Sequence, residues 1–186
     1  MNPNGLRVSN FIKKTQITIS VAALLVGFPA LADVEVVRSA NGANAAAIQA
    51  TVDAYRADLG TLNANDPVNN ADGRRQIDWD AAPDAVSAPN AFPGAFFNAN
   101  FFPRARGIAF TTPGTGLQLS ATAASGFGVR FDNLQAGLST EFATFSAERL
   151  FTPLGSTITN ASFFNPANPT EPALIDGLGV VFTGVD

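Results

Sequence analysis

The chain of 186 residues has no histidine and no cysteine, and its only two lysines are Lys13 and Lys14. Each absence closes off a class of chemistry. Without His and Cys there is no Ser-His-Asp triad and no Cys-His pair. Zinc held by His or Cys is excluded, as are the common haem ligands. No disulfide can staple the fold, so stability must come from a packed core or a bound ion. Beyond residue 14 no lysine remains for a Schiff base or a Ser-Lys dyad. What is left is carboxylates, arginine, Ser and Thr hydroxyls, the single tyrosine Tyr55, and hard cations held by oxygen.

Long apolar runs are also scarce, and the one present lies near the N-terminus. Arg7, Lys13 and Lys14 precede an apolar stretch from Ile17 to Leu31, interrupted by Ser20, Gly27 and Pro29. Ala30-Leu31-Ala32 then supplies the small residues at −3 and −1 of a signal-peptidase site. The run is too short to span a bilayer comfortably and carries helix breakers near its end. The sequence therefore predicts a cleaved signal peptide over 1–32 and a single secreted β-rich domain over 33–186, with no membrane span after cleavage. The protein is expected to be exported to an extracellular, periplasmic or cell-surface location. No twin-arginine pair is present, which points to the general secretory route, and the short Ala-rich form is bacterial in type.

The expected mature chain has 154 residues (186 less 32) and carries eight arginines against fifteen acids, a net charge of −7. A domain of that length buries roughly 70% of its unfolded surface. The acidic balance disfavours phosphate backbones, so nucleic acid is not an expected partner. The core material is aromatic: 16 phenylalanines and one tryptophan.

Asn41 to Leu59 reads as the one long helix, capped by Asn41 or Asn44 and stopped by Gly60. Ile48, Val52, Tyr55 and Leu59 form one stripe at i, i+4, i+7 and i+11. Asp33–Arg38 is short and β-prone. Thr61–Gly73 is a loop. Ile77 and Trp79 alternate with polar residues from Arg75 to Asp80, a period-2 strand pattern. Ala81–Pro103 is interrupted by four prolines yet holds five phenylalanines, so it must pack onto the core or onto a partner. Strand runs follow at 107–112, 116–123, 128–133, 141–151, 156–164 and 174–182. That spacing predicts a mainly-β domain, an antiparallel sandwich or jelly roll, with one N-terminal helix after the signal peptide. The chain stops four residues past the end of the last run at Phe182, leaving two readings open: a complete domain, or one incomplete at its C-terminus, with an exposed sheet edge.

Several stretches carry a resemblance. Val52–Gly60 (VDAYRADLG) and Gly73–Pro83 (GRRQIDWDAAP) stand out. Asn98–Phe110, Thr112–Phe127, Ser146–Gly155 and Gly179–Asp186 accompany them. Together they resemble a family of uncharacterised secreted bacterial proteins in which a VDAFRADLG-like helix precedes an RREINWDGVPD-like segment and a β-rich remainder. Some members look like surface proteins with C-terminal sorting signals. Here Asp78 stands where that pattern has Asn, and Gly184 where it has an acid.

Asp78, Asp80 and Asp84 are the candidate metal ligands. Oxygen ligands two residues apart can converge on a hard cation, and Ca²⁺ accepts six to eight of them. Asp132, Asp176 and Asp186 are candidate additions. In the competing reading Asp78 and Asp80 face solvent, paired with Arg74 or Arg75, and Trp79 lies in the core. Trp79 is the candidate ligand-binding residue, a stacking platform for sugars. Glu141 and Glu148, seven apart on an expected strand, fall on opposite faces and do not make a glycosidase pair. No catalytic residue is assigned. Gly114-Thr115-Gly116 and Gly126-Phe127-Gly128 are turns rather than phosphate loops. The leading functional expectation is a non-enzymatic extracellular or cell-surface interaction module, its partner an extracellular polysaccharide or a surface protein. The alternatives are a calcium-dependent carbohydrate-binding module and a carboxylate-based polysaccharide hydrolase. N-terminal sequencing of exported material should read from Asp33; material that retains Arg7 would refute the predicted cut.

Overall fold

The computed structural model describes residues 6–8, 12–13 and 35–184. The apolar run Ile17–Leu31 and the cut after Ala32 lie outside those residues, as does Asp186. Among the described residues no helix is long and apolar enough to cross a membrane.

Strand β1 (Leu6–Val8), β2 (Ile12–Lys13) and β3 (Ala40–Gly42) precede helix α1 (Ala45–Asp58). Strands β4 (Ile108–Thr111) and β5 (Gly116–Leu119) follow, then the short helix α2 (Leu138–Glu141) and β6 (Phe151–Leu154). The chain continues through β7 (Asn160–Asn165), β8 (Asn168–Pro172), β9 (Gly177–Leu178) and β10 (Val181–Thr183). The fold is mainly β and antiparallel, as the strand spacing predicts. Its described strands form four small sheets, ordered β10-β1-β3, β2-β9, β4-β7-β8 and β5-β6.

Helix α1 forms where its stripe predicts. Asn44 is the N-cap, its side chain accepting from the Ala47 amide at 3.1 Å. Gly60 follows the helix at φ +84°, a left-handed position where glycine has no side chain to strain. Arg74 donates to the carbonyls of Arg56 and Gly60, satisfying acceptors that the helix end leaves open. Ile48, Val52 and Tyr55 are buried, with Ala40, Leu59, Phe145 and Val181 packed around them.

The larger core is aromatic. Phe92, Phe96, Phe97, Ile108, Leu117 and Leu119 are its buried centre. Trp79 stacks on Phe151 with centroids 4.6 Å apart and planes 5° from parallel. The proline-rich segment packs onto this core, held by its backbone. Ala88 and Phe92 amides donate to Leu119 and Leu117 carbonyls, covering the edge of β5 away from β6. The Phe110 amide donates to the Gly94 carbonyl. A Cβ at Gly94 would run into the carbonyl oxygen of Phe110, so glycine permits this close approach.

Several local expectations are corrected. Residues 75–78 form no strand, although Ile77 and Trp79 still turn toward the core. With no neighbouring strand, the Gln76 carbonyl is satisfied by Arg106 Nε at 2.9 Å, and Trp79–Ala81 forms a 3-10 turn. The run 128–133 is a turn with Arg130 and Phe131 at positive φ. The run 141–151 divides into the end of α2, a loop and the start of β6. The described part of 33–38 carries no named strand; β3 lies just beyond it. Asn168–Pro172, which lies between the expected runs 156–164 and 174–182, is β8 and pairs with β7. β4 and β5, adjacent in sequence, do not pair: β4 joins β7 and β5 joins β6.

Val52→Asp should cost several kcal/mol by burying an unpaired charge in the helix seam. Phe97→Ala, at 1% exposure, should cost about 3–5 kcal/mol through the cavity it leaves. Thermal or urea unfolding measures both, and an unchanged midpoint would refute the packing described.

Candidate functional site

The acidic segment and the segment just before β6 meet across the molecule. Asp78 is exposed and caps the 3-10 turn, its Oδ1 accepting from the Asp80 amide at 3.1 Å and from Ser146 Oγ at 3.4 Å. Asp80 Oδ1 accepts from the Arg149 amide at 2.7 Å. Asp84 Oδ1 accepts from Arg149 Nη2. The three acids are therefore tied to Arg149 and its neighbours. Among the described residues no group of three or more Asp, Glu, His or Cys is placed to hold a metal ion. Asp132 is engaged elsewhere, accepting from Ser139 Oγ at 2.5 Å and from the amides of Ser139 and Gly137.

Arg149 is the residue that sequence reasoning missed. Its side chain is only 3% exposed while that of Asp84 is 65% exposed. Nη1 donates to the Ser120 carbonyl at 3.2 Å, and Ser120 Oγ accepts from the Leu150 amide at 2.9 Å. The guanidinium thus joins the end of β5, the start of β6 and the acidic turn. A buried arginine is tolerable only when paired and hydrogen-bonded. Its only sequence signal is an arginine beside the apolar Leu150-Phe151 pair. The partners expected for the acids do other work: Arg74 serves the helix end, and Arg75 donates to the carbonyls of Ala64, Val68 and Ala105.

Burial raises the carboxyl of Asp80, and hydrogen bonds from Ser146 and the Arg149 amide pull it back. Asp132 is shifted the other way, chiefly by the Ser139 hydroxyl and then by the Ser139 amide. Tyr55 is pushed up to about 12, first by burial and then by Asp58.

Trp79 is surrounded by phenylalanines. Phe151 covers one ring face, Phe92 meets it edge-on at 5.9 Å and 86°, and Phe97 and Phe110 lie within 5.9 Å. The ring is a central element of the core rather than an open platform. Glu141 lies in α2 and Glu148 in a turn at φ +76°, not together on the strand the sequence suggests. Both are exposed.

A second arginine-aromatic group lies at the end of the proline-rich segment. Arg104 sits between Phe96 and Phe101, 4.4 and 4.5 Å from their centroids. Arg106 lies 4.4 Å over Phe97. These cations cover ring faces that would otherwise be bare, an attraction worth about 0.5–1 kcal/mol at exposed sites. Beyond them Phe101 is 49% and Phe102 69% exposed. Large apolar side chains are also exposed along residues 174–182: Leu174 at 88%, with Ile175, Leu178, Val180 and Phe182.

Comparisons of the chain with protein-family models, with curated proteins and with solved structures find no match.

Four outcomes are expected. Arg149→Ala should lower stability by about 3 kcal/mol, since it opens a buried space and strips the Ser120 carbonyl of its donor. Asp84→Asn should cost about 1 kcal/mol or less, because that carboxylate is largely solvated. Melting in millimolar Ca²⁺ and in chelator should coincide; a Ca²⁺-dependent rise abolished by Asp80→Asn would instead assign the acids to a metal. The pH dependence carries its own sign. Asp132 binds protons less readily folded than unfolded, so its stabilisation is full above the ordinary carboxylate range, about pH 4, and is lost as pH falls through its depressed folded value. Asp132→Asn should flatten that acid limb in a series of melting curves.

Proposed function

We propose that this protein is an exported, non-enzymatic interaction module acting outside the cytoplasm, in contact with a surface protein or polysaccharide. The observation that carries this reading is how its side chains are spent. The acids of the candidate site and the buried arginine hold the fold together. The solvent-facing apolar side chains include Phe102, the half-exposed Phe101, and the row from Leu174 to Phe182. Scattered exposed apolar residues are ordinary, but several of them within nine residues mark a contact surface. The basic, apolar and small-residue order of 1–32 supports export. The resemblance of VDAYRADLG and GRRQIDWDAAP to segments of secreted bacterial proteins supports the same setting.

The test is binding of the exported protein to isolated cell-envelope material. Phe102→Ser and Leu174→Ser should leave the melting temperature nearly unchanged, since exposed substitutions usually fall within about 0.5 kcal/mol. Each should weaken sedimentation with the envelope fraction. Equal sedimentation of both variants and the parent would refute the assignment of these residues to a contact surface.

A further inference from the structure

The sheet β10-β1-β3 is built around a strand that the export reading removes. β1 pairs antiparallel with both neighbours. Leu6 is opposite Gly42 and Thr183, Arg7 opposite Asn41 and Phe182, and Val8 opposite Ala40 and Val181. β2 likewise pairs with β9, Ile12 opposite Leu178 and Lys13 opposite Gly177. β3 and β10 are not partners of each other; each is bonded to β1. Helix α1 lies against both β1 and β3. Its buried Ile48 and Val52, with Ala40 and Val181, form the apolar layer on that side of the sheet.

Cleavage after Ala32 takes β1 and β2 away. It leaves β3 and β10 facing each other across the width of one strand, about 10 Å at the usual ladder spacing. Each edge then presents unpaired amides and carbonyls, which an added strand would satisfy. The helix side of the gap is apolar, so the inward positions of an occupant must be apolar, and its period is 2. The outer margin is also apolar, with Leu178, Val180 and Phe182 each more than a third exposed.

We infer that the exported protein takes an extended segment of another polypeptide, apolar at alternate positions, as an added strand between β3 and β10. The inference rests on the export reading and deepens it by naming the site and the kind of partner. Strand addition draws affinity from main-chain hydrogen bonds and selectivity from alternate side chains, which suits a chain with few charged groups at this edge. In the uncleaved precursor the leader fills the same slot, so the site opens only when the leader is removed.

The test uses protein recovered after export, with its N-terminus read first. A start at Met1 overturns the export reading before any binding is measured. With a start at Asp33, the probe is a synthetic peptide of residues 3–16. It should bind saturably and raise the melting temperature. The same peptide with Arg7→Pro lacks the central amide of the strand, and should bind about tenfold more weakly or not at all. A scrambled peptide should not bind. The full chain with Ala32→Asp, which blocks cleavage by placing a charged residue at −1, keeps its slot filled and should not bind the peptide. No shift with millimolar peptide, or equal binding of the proline and scrambled peptides, overturns the proposal. So does an exported form that stays unfolded with peptide present. Dimerisation of the exported form without peptide would overturn the partner and assign the slot to a second copy of this chain.

Discussion

The flat contact between Trp79 and Phe151 is the interaction on which the larger half of this molecule depends. Among the described residues its sheets have only two or three strands, and strands of two to six residues carry few ladder bonds. Sheets so small cannot hold a domain by hydrogen bonding alone. The aromatic cluster supplies what they lack. Trp79 comes from a 3-10 turn, Phe92 and Phe97 from the proline-rich segment, Phe110 from β4 and Phe151 from β6. One stack of rings thereby joins both sheets and the irregular segment between them. Aromatic pairs of this kind add about 0.5–1.5 kcal/mol each beyond the area they bury.

Arg149 lies at the polar margin of the same core. It lies two residues before Phe151, the first residue of β6, and reaches the Ser120 carbonyl and Asp84 while its amide donates to Asp80, so the acidic turn that carries Trp79 is pinned to the segment leading into the strand that carries its stacking partner. Charge and aromatic packing are coupled here through geometry. The acidic turn holds Trp79 in place, and the buried guanidinium is compensated by that turn. Asp78, Asp80 and Asp84 therefore cluster in sequence without converging on a point. Their oxygens answer an amide, a hydroxyl and a guanidinium coming from the far side of the core.

The irregular segment 81–103 shows how a proline-rich stretch becomes part of a core without regular structure. Prolines at 83, 89, 93 and 103 remove amides that a strand would need. The amides that remain at Ala88 and Phe92 bond to β5, while five phenylalanines supply apolar area. Arg104 and Arg106 then cover the outer ring faces of Phe96, Phe101 and Phe97. Only at Phe102 does this covering run out, which is where the segment meets solvent.

The sequence by itself determined the local and compositional features. It excluded His and Cys chemistry, left no lysine beyond residue 14, placed α1 to within a few residues with its buried stripe, located β4, β5 and β7, and marked Phe-rich 81–103 as packed. Each of these follows from residue type or short-range periodicity, which act within a few residues of chain. What only the tertiary structure decided was partnership. Period-2 alternation shows which face of a strand is apolar and says nothing of its neighbour, so β4 could not be matched to β7, nor β5 to β6. Residues 75–79 kept their inward alternation but gained no strand beside them, and so formed no ladder. Asn168–Pro172 has weak β propensity and became a strand because the turn after Asn165 returns it to β7. The role of Asp84 was invisible because Arg149 is 65 residues away. Ion pairs and ring stacks are chosen by proximity in space, and proximity exists only once the chain has folded.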